Sequence, residues 1–163
     1  MVLAACDIAA MPLLLTLGTT VAMLHLAVEA VTFSFGEAAG LKLCASMGEI
    51  LRRDAGVSDA SYFGCIFEGQ EGHRIGRKRM LVADVMDTHA PGPGATAWRR
   101  ACSQWQVLLP TLNRADTIAD NDITQFGTCA TALLDGLKAG FAWYSITPKI
   151  HALCCHVRTF LCC

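Results

Sequence analysis

Residues 8–28 read IAAMPLLLTLGTTVAMLHLAV, twenty-one positions without Asp, Glu, Lys or Arg. A helix needs roughly 20 apolar residues to cross a hydrocarbon core, so this run decides what kind of protein the chain is. One reading is a long core helix, about Leu13 to Val31, covered by the rest of the fold; the other is a membrane span. Pro12, Gly18, three threonines and His25 interrupt the run, and no Lys or Arg precedes Lys42 to orient a span. A secretory signal fits less well. Met1 to Asp7 carries an aspartate where a signal carries positive charge, and no small-x-small cleavage motif closes the run. The core helix is carried forward, with membrane anchoring through residues 8–28 as the alternative.

Outward from this stretch, charge is uneven. Residues 1–51 hold only Asp7, Glu29, Glu37, Lys42 and Glu49, and every other charged side chain follows. The expected organisation is an apolar N-terminal segment over residues 1–40 and a helical domain over 41–163. At 163 residues, 53% hydrophobic and 17% charged, the chain has enough material for one core and is too apolar for disorder. The net charge of −1 excludes polyanion binding through the whole surface but leaves room for a local basic patch.

Thr32 to Gly36 alternates β-branched and aromatic residues before a glycine, which predicts a strand or extended turn. Leu43, Met47, Ile50 and Leu51 recur at helical spacing within Leu41 to Asp54, with Gly56 placed to end the helix. Pro91-Gly92-Pro93-Gly94 predicts a hinge over 87–95. Beyond it Trp98, Cys102, Trp105, Leu109 and Leu112 form a helical stripe that Pro110 is expected to end or bend. Asp120 to Asp122 supplies N-caps for a helix carrying Ile123, Phe126, Ala130, Leu133 and Leu137. Thr147-Pro148 starts another, with Ile150, Leu153 and Val157 inward. The predicted class is mainly α, with five or six helices and at most a small β element.

Two groups of residues carry chemistry. His73-Arg74-Ile75-Gly76-Arg77-Lys78-Arg79 is a basic run suited to phosphate or to nuclear import, and equally to a solvated helix face. With no aromatic residue among the charges, it is not a stacking platform for single strands. Nine cysteines, an odd number, do not read as a disulfide framework. At the end of the chain, His151 and Cys155 lie four apart on one helical face and form a candidate zinc pair, though a structural zinc site takes four convergent ligands. No nucleophile elbow, phosphate-binding loop, dinucleotide fingerprint or His-Glu-x-x-His is present. A nuclear or cytoplasmic location is expected, with the membrane as the alternative.

Three segments also resemble proteins encoded by eukaryotic transposable elements. Leu51 to Val57 followed by Tyr62-Phe63-Gly64-Cys65-Ile66-Phe67-Glu68-Gly69 resembles a helix and Tyr-x-Gly-Gly-x-x-x-Gly passage, with Cys65 at the second glycine. Trp98 to Trp105 resembles the tryptophan helix that follows it. Ser145 to Val157 is similar to a Thr-Pro-Lys-x-His-x-Leu-x-x-His-Val segment, the most specific of the three. The resemblance spans about residues 50–157. It implies a transposase-like protein of the RNase H-like group, where clustered carboxylates hold divalent metal. Asp54, Asp59, Asp84, Asp87 and Asp116 do not map onto a complete set, so the implied function is a transposase-derived remnant without independent catalysis. Such a remnant would contact DNA weakly through Arg74, Arg77, Lys78 and Arg79, with Lys149 and His151 facing either nucleic acid or a carboxylate behind the metal ligands. Its fold would be either the helical domain above or a truncated α/β remnant. In both cases the tryptophan helix and the Thr-Pro-led helix should wall one apolar interior.

Overall fold

The computed structural model describes residues 5–64, 67, 69–112, 118–155 and 157, and side chains from residue 16 onward except those of 64, 69 and 149. Among the described residues the chain forms seven helices and no strand: α1 (Ala5–Phe35), α2 (Glu37–Ala55), α3 (Asp59–Gly64), α4 (Gly69–His89), α5 (Pro93–Leu112), α6 (Asp120–Gly140) and α7 (Pro148–Cys155). The mainly α class is as expected; the α/β alternative is not what these residues form.

The 8–28 run lies within α1, and from residue 16 onward most of its apolar side chains are used inside the molecule. Ala22, Met23, Leu24, Leu26, Ala27, Ala30 and Val31 are all buried. Burial on nearly every side is what a helix without a broad polar face requires. Among the described side chains its solvent stripe is His25, Glu29 and Phe33, at steps of four, joined at the C-terminal end by Ser34 and Phe35. Around α1 pack α2, α4, α5 and α7. One continuous apolar cluster runs from Ala22 to Val157. The tryptophan helix and α7 therefore share an interior, with α7 packed on α6 and α1.

Several expectations are corrected. Thr32 to Phe35 is not extended; α1 continues through Phe35, and the chain turns at Gly36 with φ +89° straight into α2. Thr32 is half-buried on that last turn, so packing against α2 overrides the local β preference. The 87–95 hinge shrinks to residues 90–92, because α4 runs to His89 and Pro93 opens α5. Arg99 locks this corner, donating from Nε to Asp87 Oδ2 at 2.7 Å and from Nη2 to Asp84 Oδ1 at 2.6 Å. Of the two outcomes expected at Pro110, the helix end is not seen: α5 runs through it to Leu112. Leu108, Leu109 and Leu112 hold that turn in the core, while the Gln106 carbonyl that loses its partner belongs to an exposed residue.

Other local signals read through directly. Gly56 takes the left-handed conformation, φ +62°, and the Val57 N–H closes back on the Leu51 carbonyl at 3.2 Å. Val57 and Leu51 are both buried there, the apolar contact that accompanies this cap. The Thr147 hydroxyl accepts from the Ile150 N–H at 3.4 Å, as its place before Pro148 predicts. At α6 the expected aspartate caps are corrected: Ala119 occupies the cap position with no side-chain cap hydrogen bond, and Asp120 and Asp122 sit within the first turn, where negative charge still favours the helix start.

Candidate nucleic-acid interface

The basic run lies on α4, and its members part ways by helical geometry. Arg74, Arg77 and Lys78 sit at i, i+3 and i+4 and are exposed on one face. Arg79, about 100° further round, is buried at 7% exposure and leaves the group. Its Nε donates to the Cys102 carbonyl of α5 at 3.0 Å. Burial lowers its guanidinium to about 10, so it stays charged at neutral pH but is a packing residue, not a surface cation. The expectation that Arg79 faces nucleic acid is therefore corrected.

Two cations that the run did not include join the remaining three. α2 packs on α4, and its last turn presents exposed Arg52 and Arg53, where the carbonyl end of a helix favours positive charge. The Arg74 guanidinium lies beside Gly56, just past that turn. Asp54 is held by Arg53 at 2.9 Å, and that hydrogen bond, with Lys78 adding attraction, keeps its carboxyl below the usual carboxylate range. Asp59 approaches Arg52 only at 3.9 Å. No ion pair among the described residues engages Arg74, Arg77 or Lys78. Buried Glu71 pins the edge of this face, accepting from the Ser58 N–H at 3.5 Å. Sequence reading missed Arg52 and Arg53 because only the α2–α4 contact brings them beside the run.

The carboxylates that the resemblance would assign to metal are dispersed. Asp54 and Asp59 pair with arginines at the end of α2, while Asp84 and Asp87 share Arg99 and raise its pKa by their hydrogen bonds. Asp116 lies outside the described residues.

At α7, His151 and Cys155 do meet, with Nδ1 and Sγ 3.6 Å apart on the exposed face. Cys154 points elsewhere and is packed against the core, its thiol pushed up to about 12 by desolvation. No group of three or more His, Cys, Asp or Glu gathers for a metal among the described residues. The described donors thus supply half of a four-ligand zinc site. Lys149 has its backbone in α7, but its side chain lies outside the described residues, as do His156, Cys162 and Cys163. In α5 the Cys102 thiol is raised by burial and held neutral.

Comparison of the chain with known protein families, with curated proteins and with solved structures finds no match.

Proposed function

We propose that the chain is a transposase-derived helical domain, without catalysis of its own, that contacts the DNA backbone weakly through the face shared by α2 and α4. The single observation behind the DNA contact is the exposed trio Arg74, Arg77 and Lys78, without ion pairs among the described residues and beside Arg52 and Arg53. Phosphate binding by lysine and arginine needs no base readout, and such contacts carry affinity rather than sequence preference. The ancestry rests on the three resembling segments, residues 51–69, 98–105 and 145–157.

Duplex DNA titrated at several salt concentrations tests this reading. Each phosphate contact adds roughly 0.9 to the slope of log affinity against log salt, so changing Arg74, Arg77 and Lys78 together to alanine should lower that slope by about 2 to 3. Binding that is absent, or unchanged in the triple variant, overturns the proposal. Magnesium-dependent DNA cleavage by the purified chain would overturn the claim that it lacks catalysis.

A second reading, membrane anchoring, has one observation in its favour: Thr16–Phe35 is long and apolar enough to cross a bilayer. It requires α1 to leave a core in which Leu26 and Ala27 are fully buried. A chain recovered as a monomer without detergent rejects it.

A further inference from the structure

The bundle is open at a corner beside α3. Where α1, α2 and α3 meet, Val28, Tyr62, Phe63 and Phe67 border a cavity of about 280 Å³, with Glu29 and Cys44 also on its lining. We propose that this cavity binds a small organic ammonium cation, its alkylated nitrogen set among the three aromatic rings and its charge facing the Glu29 carboxylate. This site is separate from the basic face and stands or falls without it.

The rings have the arrangement such a ligand needs. Tyr62 and Phe63 meet edge to face at 5.1 Å between centroids, and Tyr62 and Phe67 lie tilted at 6.5 Å. All three residues line the same cavity, and the negative face of an aromatic ring attracts a cation. Tyr62 is fixed before any ligand arrives. Its hydroxyl donates to the Cys44 carbonyl at 2.9 Å, and its ring lies against Gly48 of α2, so closely that a Cβ there would meet Cε1 at 2.9 Å. A pre-set ring loses little freedom on binding.

Charge selects the ligand class. Among the described lining residues Glu29 is the one carboxylate, with His25 one turn before it on α1, and none of the ion pairs among the described residues engages Glu29. An anion would face the Glu29 carboxylate, with no lysine or arginine among the described lining residues to offset it. A neutral apolar ligand would fill the space but strip water from the carboxylate without compensation. A cation with methyl groups around its nitrogen satisfies both the rings and the carboxylate. The volume, at the small end for ligand pockets, limits it to a headgroup-sized molecule.

The test compares choline with its neutral isostere 3,3-dimethylbutan-1-ol, each titrated into the full chain by calorimetry. Choline should bind saturably and about ten-fold or more tighter than the alcohol. Glu29→Gln, an exposed and nearly isosteric change, should reduce that preference several-fold. Phe63→Ala should weaken choline while leaving helix content intact, since Phe63 is 62% exposed. Absence of saturable choline binding, equal affinity for the alcohol, or an unchanged preference in Glu29→Gln each overturns the proposal.

Discussion

The two sides of α1 are packed to different standards. On one side α6 approaches α5 so nearly that a Cβ on Gly140 would stand 2.4 Å from the Ala97 Cβ, and the open space there, about 370 Å³, is confined to the helix ends around Gly94, Gly140 and Trp143. Trp98 reaches across to α1 there, its indole Nε1 donating to the Met23 carbonyl at 3.0 Å. On the other side α2 and α3 leave a cavity of about 280 Å³ and an aromatic ring largely in water. Close packing of one side supplies stability that the other does not have to provide. The exposed cations Arg52, Arg53, Arg74, Arg77 and Lys78 lie on this second side, along α2 and α4.

Stability measurements can break this comparison. Trp98→Ala removes a ring 1% exposed together with its hydrogen bond, and should cost about 3–5 kcal/mol in denaturant unfolding. A loss below 1 kcal/mol would mean the tight side is not where stability lies. Gly140→Ala comes next. Overpacking at a helix contact costs roughly 1–3 kcal/mol, and Ala97→Gly in the same chain should return most of it. If the double variant is no more stable than Gly140→Ala alone, the close α5–α6 approach does not set the cost.

Alkali probes the same side through α7. The Cys154 thiol, normally near 9.0, is pushed up to about 12 by desolvation, so the folded chain keeps that proton where the unfolded chain has lost it. Stability is then fully present below pH 9 and falls as pH rises toward 12, by on the order of 1 kcal/mol at pH 10. Buried Cys102 acts in the same direction. Arg79 acts in the opposite one from about pH 10 upward, because its folded guanidinium gives up its proton before the unfolded one. The difference between the wild-type chain and Cys154→Ala isolates the one thiol: the variant's profile should be flatter between pH 9 and 11. Parallel profiles would place Cys154 in contact with water.

How far each side was legible follows from the range of the forces involved. Helical stripes and caps are local, so the stripe of α5, the Gly56 cap and the Thr147 start could be read from spacing alone. Trp98 and Trp105 looked equivalent on that stripe. Only tertiary contact separates them: Trp98 finds an acceptor 75 positions away, while the buried Trp105 Nε1 finds none among the described residues. The same limit governs the sites. Arg79 belongs to the basic run by sequence and to the core by its angle on α4, a split visible only once the buried side of α4 is known. Arg52 and Arg53 join the run through the α2–α4 contact. The cavity was not legible at all, because Glu29, Cys44 and Tyr62 come from three helices and share no spacing.

The finest test of the comparison lies within the open corner, between neighbouring rings that do different work. Tyr62 braces α3 against α2 through its hydroxyl, whereas Phe63 packs edge-on against it with most of its surface in water. Tyr62→Phe should therefore cost about 0.5–1.5 kcal/mol, the net worth of one hydrogen bond. Phe63→Ala, although it deletes a whole ring, should stay within about 0.5 kcal/mol, as surface changes do. The smaller chemical change is expected to have the larger effect on folding, and the larger change the smaller one. If Phe63→Ala proved the more destabilising, its ring would be a wall of the core, and the corner would be as closely built as the α5–α6 side.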